Sequence, residues 1–292
     1  MILRDRTPSF SGSFYESTPS SLKERLKWCF LDKTGPGRMP EKPSFSIGKK
    51  REIVSIVSPH AGYVYSGPVA AHGYYQLSTE PVPDVIVVIG PNHTGMGAGV
   101  SVWGEGSWGT PLGHIPVDSE AAKALFEAGI AEKDEEAHLS EHSIEVQLPF
   151  LQYIYEGENF KILPICMMLQ DHETASELGK ALAQILSGRS SLIVASSDLT
   201  HYQPYNVAYE KDEKISRAIV AMDSKQLYAT VVKGNLSMCG PGPVMTAIEA
   251  AKGLGASCCE KLCYATSGDT SGSKTQVVGY GSFIMKKQGK TH

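Results

Sequence analysis

Four short runs along the chain consist almost entirely of apolar residues: Ile53–Val57, Val85–Ile89, Phe160–Cys166 and Leu192–Ala195. Each run is bounded by polar or turn-forming residues and is too short for a typical helix, so each predicts a β-strand. A run that is apolar at every position, such as Val85–Ile89, is typical of a strand covered on both faces of its sheet. The pattern therefore predicts a buried central sheet.

Between these runs, apolar residues recur with the spacing of a helix. Ser20–Phe30 places Leu22, Leu26 and Phe30 on one face. The same reasoning predicts further helices at Pro68–Leu77, Asp118–Ala128, Ser140–Tyr155, Thr174–Leu186, Tyr205–Met222, Lys225–Lys233 and Pro243–Gly253.

Two prolines and two weaker strands add local detail. Pro68 is expected in the first turn of its helix, where a missing N–H is tolerated. Pro149 lies inside the predicted helix Ser140–Tyr155 and is expected to kink it. Gly99–Trp103 and Thr110–Pro116 are expected to pair as a hairpin.

Strands and helices alternate from Ile53 to Pro243, which predicts an α/β/α three-layer fold around a mixed, mostly parallel sheet. Two late strands, Cys259–Ala265 and Gln276–Met285, have no helix between them and predict an antiparallel edge. Residues 1–292 are expected to form a single domain. Within it, residues 34–50 are expected to be a surface loop and residues 286–292 a polar tail.

Composition narrows the class of protein. The chain has 292 residues, 41% of them hydrophobic, with a formal net charge of -4, which offers no footprint for nucleic acid. It shows no secretory signal and no apolar stretch long enough for a transmembrane helix, so no membrane partner is expected. Six cysteines in a chain of this length predict reduced thiols and a cytoplasmic location.

Polar side chains follow three of the predicted strands. His60 comes soon after Ile53–Val57, His93 soon after Val85–Ile89, and Asp198 and His201 soon after Leu192–Ala195. If these strands are parallel neighbours, their carboxyl ends meet at one rim, where open α/β sheets bind ligands. Two imidazoles with an anionic group suit a transition metal. The alternative is that each is a loop residue with a local hydrogen bond.

Cys239 belongs to the same hypothesis. The stretch SMCGPGPV places it at the start of a predicted helix, and a helix N-terminus lowers the pKa of a thiol and favours the metal-binding thiolate. The alternative is a small buried cysteine with a packing role.

The stretch AHLSEHSIEVQ adds Glu141 and His142 as candidate catalytic residues. If Ser140 caps a helix here, the helix N-terminus would present both residues at the rim. The alternative is that they serve only in helix capping. Tyr63 and Asn92, in the loops after the first two strands, are candidates for substrate binding.

Several motifs, in order over nearly the whole chain, resemble the Memo family (mediator of ErbB2-driven cell motility). They are SGSFY near the start, PHAGY at Pro59–Tyr63, GPNH at Gly90–His93, EHSIExxLP at Glu141–Pro149, SSDxxH at Ser196–His201, CGxxP at Cys239–Pro243 and a final GYGSF. The family usually has Ala-Gly where this chain has Ser11-Gly12. An archaeal or bacterial member is expected.

The resemblance implies a fold similar to class III extradiol dioxygenases and a pocket that holds iron or copper. Carried over to this chain, it implies His60, His93 and Cys239 as metal ligands, with His201 beside the metal and Asp198 orienting it. A thiolate is a softer ligand than a carboxylate, which makes copper a candidate beside iron.

Three functions compete at this point. The first is an iron- or copper-dependent oxidoreductase of unknown substrate, with His201 as general acid or base and Asp198 fixing its tautomer or supplying charge. The second is a non-catalytic module that binds a peptide or small anion in the same pocket. The third is a metal-assisted hydrolase. The predicted ligand is a small molecule or a peptide; the sequence does not determine the oligomeric state.

Overall fold

The computed structural model describes residues 5–41 and 51–288. The strands of these residues are β1 (Asp5–Arg6), β2 (Ile53–Ser58), β3 (Val85–Pro91), β4 (Val100–Val102), β5 (Ser107–Thr110), β6 (Gly113–Pro116), β7 (Glu132–Lys133), β8 (Lys161–Met167), β9 (Ser191–Ser196), β10 (Cys258–Thr266) and β11 (Gly279–Lys286). The helices are α1 (Pro19–Leu31), α2 (Tyr63–Ser78), α3 (Ser119–Glu127), α4 (Glu136–Leu139), α5 (Leu148–Ile154), α6 (His172–Ile185), α7 (Tyr205–Val220), α8 (Ser224–Tyr228), α9 (Pro241–Gly253) and α10 (Ser267–Ser271). A 3₁₀ turn at Glu145–Gln147 and a π turn at Ala229–Lys233 complete the set.

Within the described residues, eight strands form one mixed sheet in the order β10-β11-β2-β9-β3-β8-β4-β7. Strands β2, β9, β3 and β8 run parallel. Strands β10 and β11 add the predicted antiparallel edge. The expectation that no helix lies between them is wrong, because α10 follows β10 directly. The predicted class, a single α/β domain with a mostly parallel sheet, is confirmed.

The register of the three central strands aligns their carboxyl ends. Ser58 of β2 lies opposite Ser196 of β9, and Ile89 of β3 lies opposite Ala195 of β9. The loops that follow these strands therefore leave the sheet side by side. The predicted adjacency of the three histidine- and aspartate-bearing strand ends is confirmed.

Helices cover both faces of the sheet because side chains alternate across each strand. In β3, Val87 and Ile89 belong to the core shared with α3, α6, α7 and α9, whereas Ile86 and Val88 belong to the core shared with α1, α2 and α5. Both sets are fully buried. This two-sided burial is the reason that the strand shows no alternation of polar and apolar residues.

The predicted hairpin between Gly99–Trp103 and Thr110–Pro116 is wrong. The first segment yields β4, which is buried and pairs with β8 at the main sheet. The second segment folds with the residues before it, as the hairpin β5–β6, and Gly113 at its turn has φ +122°. An apolar segment such as β4 gains more from a buried sheet position than from a surface hairpin.

Pro68 lies inside α2 rather than in its first turn, because the helix begins earlier, at Tyr63. A proline at this place removes only one hydrogen bond, to a carbonyl of the first helical turn, and its cost is correspondingly limited. No helix of the described residues is long and apolar enough to cross a membrane. Of the predicted loop at 34–50 and the tail at 286–292, residues 42–50 and 289–292 lie outside the described residues.

Candidate metal centre

The site lies at the carboxyl ends of the three central strands. His60 is two residues past the end of β2, His93 two residues past β3, and Asp198 two residues past β9. Each loop turns away directly after the strand, so its first polar side chains stay at the rim of the sheet. The position of each of these residues just past a strand end therefore places it in the site.

Three imidazoles converge there. His60, His93 and His142 each offer a ring nitrogen, and these nitrogens all lie within 4.8 Å of one another. The ring centroids of His60 lie 5.2 Å from those of both other histidines, and His93 and His142 stack at 4.6 Å. His60 is 2% exposed, whereas the side chains of His93 and His142 are 35% and 18% exposed. The group is open to solvent on one side.

His142 reaches this group because the predicted helix Ser140–Tyr155 does not form as one element. Ser140 ends α4 instead of capping a helix, and α5 begins only at Leu148 with Pro149 in its first turn. A proline is favoured at the start of a helix, not in its middle. In addition, the Glu141 carboxylate accepts a hydrogen bond from the Ser143 N–H at 2.8 Å, which competes with helical bonding.

The surroundings of His60 determine its tautomer. The Ser196 hydroxyl donates its one hydrogen to the Ser143 carbonyl at 2.6 Å and accepts a bond from the Gln147 amide at 2.8 Å. Its contact with His60 Nδ1, at 2.8 Å, must therefore be a bond that Nδ1–H donates. The lone pair of His60 is then on Nε2, which is free for a ligand.

Glu141 determines the tautomer of His93. One carboxylate oxygen accepts the backbone N–H of His93 at 2.6 Å and the other faces its Nδ1 at 2.9 Å. The oxygen that faces Nδ1 of His93 also lies 3.2 Å from Nδ1 of His142. Burial alone would raise the pKa of Glu141, but the hydrogen bonds from His93 and the charges of His93 and His142 lower it to about 2. An ionised Glu141 therefore keeps hydrogen on Nδ1 of His93 and leaves Nε2 of that ring free.

Two of these imidazoles, those of His60 and His142, are also held in the neutral form that metal ligands require. Burial, reinforced by the charge of His93, lowers the pKa of His60 to about 3. Burial and the charge of His60 lower the pKa of His142 to about 4. Three imidazoles whose Nδ1 atoms face a hydrogen-bond acceptor or a carboxylate fit a transition metal ion.

Cys239 lies against this group but contacts one member of it. Its Sγ is 3.1 Å from Nε2 of His60 and accepts the backbone N–H of Asp198 at 3.2 Å. The expectation that a helix N-terminus lowers its pKa is wrong, because burial raises the pKa of the thiol and the Asp198 charge raises it further. The thiol is therefore protonated in the metal-free protein. A ligand role for Cys239 stays a prediction.

Asp198 and His201 are both at the rim, but no direct hydrogen bond links them among the described residues. Asp198 accepts the backbone N–H of His60 at 2.8 Å, and burial raises the pKa of its carboxyl. His201 Nδ1 faces the carbonyls of Leu199, at 2.8 Å, and Ser237, at 2.7 Å. Backbone carbonyls, and not Asp198 as predicted, fix the His201 tautomer. The predicted catalytic roles of Asp198 and His201 stay predictions.

The two predicted substrate-binding residues have structural partners. Tyr63 is 3% exposed and its hydroxyl donates to the Val146 carbonyl at 2.6 Å, which ties α2 to the turn before α5. The Asn92 side chain accepts bonds from Thr94 and Gly95 and donates to Met96 at 2.7 Å, which shapes the loop after β3. Contact of either residue with a substrate stays a prediction.

Ser196 and Gln147 were missed by the sequence reasoning. Both stand inside the motifs SSDLTH and EHSIEVQLP, so a signal was present, but a serine at a strand end and a glutamine near a helix carry no metal chemistry of their own. His142 was predicted to be catalytic, not a metal ligand. The structure adds it to the donor group.

The chain was compared with known proteins. A family model described as Memo-like protein matches residues 6–284. Among curated proteins, a MEMO1 family protein of Methanothermobacter thermautotrophicus is 47% identical over 94% of this chain and 98% of its own length. Others are 44% identical in Methanopyrus kandleri, over 97% of this chain and 99% of the relative, and 46% identical in Methanocaldococcus jannaschii, over 96% and 99%.

A solved structure is also similar. The crystal structure of an uncharacterized protein from Escherichia coli K12 superposes with a TM-score of 0.51 at 15% identity, covering 78% of this chain and 99% of that one. At this identity the likeness concerns the fold alone.

Proposed function

The chain belongs to the family of Memo-like proteins, and we propose that it is a non-haem metal-dependent oxidoreductase. Its ion, iron or copper, would be held by His60, His93 and His142. One observation carries the proposal: three imidazoles from distant parts of the chain meet with their donor nitrogens within 4.8 Å.

Cys239 is proposed as a further donor, because its Sγ lies 3.1 Å from Nε2 of His60, the nitrogen that would hold the ion. Since burial raises the pKa of this thiol, it would lose its proton only when the ion binds. A mixed imidazole and thiolate set favours iron or copper over the hard cations that prefer oxygen.

When bound, the metal supplies one-electron chemistry and open positions for oxygen and substrate. The chain contributes the surroundings. His201, with its Nδ1 facing two carbonyls, offers Nε2 to accept or deliver a proton. The buried Asp198 stabilises positive charge on His201 and keeps the backbone of His60 in place. Glu141 holds His93 and His142.

The ligand is proposed to be a small molecule or a peptide that reaches the rim from the exposed side of His93. We also propose a cytoplasmic location, because all six cysteines are free thiols.

Elemental analysis of the protein after anaerobic purification tests the proposal. We expect one equivalent of iron or copper in the wild type and its loss in His60→Ala. His114→Ala is the matched control, because His114 is an exposed imidazole on β6.

Full metal content in a His60→Ala, His93→Ala double variant would overturn the site. No metal in the wild type, and no uptake of added iron or copper, would favour the non-catalytic binding module. Tight zinc alone, with hydrolysis of a test substrate, would favour a hydrolase. Oxygen consumption by the metal-loaded protein then screens candidate substrates.

A further inference from the structure

The N-terminal segment Arg6–Tyr15, called here the N-terminal clamp, lies across the loop that carries His142. The Arg6 guanidinium is 1% exposed and donates to the carbonyl of His138 at 2.8 Å and to that of Glu141 at 3.0 Å. It also forms a buried ion pair with Glu145 at 2.6 Å. One side chain therefore fixes three points of the loop on both sides of His142.

The Glu145 carboxylate in turn fixes the clamp. It accepts the backbone N–H groups of Ser9, at 2.9 Å, and Phe10, at 2.8 Å, and the Tyr15 hydroxyl at 2.6 Å. Further on, the Phe14 carbonyl accepts the N–H of Tyr63 at 2.8 Å. The backbone of the clamp is thus anchored at both ends of the stretch that contains its two phenylalanines.

Those phenylalanines pack on His142. The Phe14 ring centroid lies 4.6 Å from that of His142 at an interplanar angle of 39°, and Phe10 lies at 5.4 Å. His93 stacks on His142 at the same 4.6 Å. Phe14 and His93 therefore both pack on the ring of His142.

His142 depends on this packing more than its two neighbours do. His60 and His93 each have a polar partner at Nδ1 within 2.9 Å. The Nδ1 of His142 lies 3.2 Å from the Glu141 carboxylate, a looser contact. A ring with a loose polar contact takes its orientation from the flat surfaces around it.

We propose that Phe14, held in place by the Glu145-anchored clamp, is the positioning residue that orients His142 as a metal ligand. The inference rests on the proposed function, since it presupposes a metal at the three histidines. It assigns a role to the SGSFY stretch, which the metal centre itself leaves unexplained.

Cobalt(II) serves as the probe, because its visible spectrum reports ligand geometry directly. Phe14→Leu removes the flat ring and is expected to weaken cobalt binding by about tenfold, as loss of outer contacts typically does. Its cobalt spectrum should also change in shape. Phe14→Tyr keeps the ring and should restore both the affinity and the spectrum. Phe126→Leu, the same change in a half-buried phenylalanine of α3, is the matched control and should match the wild type.

His142→Ala separates the possible failures. If His142→Ala loses cobalt while Phe14→Leu binds with wild-type affinity and spectrum, the metal site stands and the positioning role is overturned. If His142→Ala binds cobalt as the wild type does, His142 is not a ligand. Both the proposed three-histidine site and the positioning role of Phe14 are then overturned. If Phe14→Leu folds poorly, Phe14→Met, which also lacks the ring, gives the same readout in its place.

Discussion

Glu141 contacts His93 with both oxygens of its carboxylate: one accepts the backbone N–H at 2.6 Å, and the other faces the ring Nδ1 at 2.9 Å. The same side chain is 1% exposed and touches the ring of His142. A single buried carboxylate therefore orients His93 and lies beside the ring of His142. The predicted catalytic role of Glu141 stays a prediction.

The substitution Glu141→Gln should keep the shape of the side chain and remove its negative charge. The amide must turn its NH₂ toward one of its present donors, so one bond is lost. We expect metal affinity to fall by roughly 10- to 100-fold, the usual effect of losing a carboxylate behind a ligating histidine. Competitive titration of iron or copper against a chelator measures it. Glu136→Gln, on the nearby helix α4, is the control, and equal affinities in the two variants would contradict the prediction.

Ser196→Ala should affect both stability and the site. It removes a hydroxyl that serves Ser143, Gln147 and His60, and leaves buried polar groups without a partner. We expect a loss of about 1–3 kcal/mol in the free energy of unfolding. Denaturant unfolding of the metal-free protein measures it.

A second consequence concerns the His60 tautomer. Without Ser196, His60 Nδ1 has no acceptor at 2.8 Å, so metal affinity should fall as well. Ser190→Ala, in the loop before β9, should change neither quantity. Unfolding free energies within about 0.5 kcal/mol for the two variants would show that Ser196 has no such role.

Glu145→Leu should be among the most destabilising single changes in the chain. It leaves the guanidinium of Arg6, 1% exposed, without its counter-ion. Removing one partner of a buried pair costs about 3–5 kcal/mol. The exposed pair Lys123–Glu127 is the control, where Glu127→Leu should cost less than about 1 kcal/mol. Similar losses in the two variants, measured by denaturant unfolding, would refute the assignment.

His138 should make stability depend on pH. Burial, followed by the charge of Arg6, lowers its pKa from 6.5 to about 3 in the folded protein. Between these values the unfolded chain binds a proton that the folded chain does not. Its contribution to stability is therefore fully present above pH 6.5 and is lost as the pH falls toward 3, by up to about 1.4 kcal/mol per pH unit.

His138→Phe tests this dependence. The ring of His138 packs edge-on to Trp103 and Trp108, a contact that phenylalanine preserves. The variant should lose less stability than the wild type between pH 7 and pH 5, in metal-free protein, by denaturant unfolding. His60 and His142 also have lowered pKa values, so the variant keeps part of the slope. If the free energy of unfolding changed with pH equally in the variant and the wild type, His138 would not contribute to the pH dependence of stability.

Much of the fold follows from the sequence because the signals are local. The apolar run Val85–Ile89 is a strand whatever surrounds it, and the observed strand Val85–Pro91 extends it by two residues. The same is true of the strands before His60 and Asp198. Since parallel strands end at one rim, the sequence predicted that these residues converge if their strands are neighbours. The sheet order β2-β9-β3 meets that condition.

The remaining features depend on contacts that a linear pattern does not contain. Pro149 marks the start of a helix rather than a kink, and that choice places His142 beside His60 and His93. The pKa of Cys239 is raised because burial outweighs the helix N-terminus, and burial is known only when the chain is folded.

The sequence by itself determined which donor groups exist and which edge of the sheet they occupy, because strand periodicity and strand ends are properties of neighbouring residues. Only the tertiary structure decided that His142 joins His60 and His93. It also decided which ring nitrogen of His60 and His93 is left to bind a ligand, and that the N-terminal clamp lies across the loop of His142. Arg6 and Glu145, 139 residues apart, form a buried pair. Such contacts arise from the packing of the whole domain, which brings together buried polar groups that are distant in the sequence.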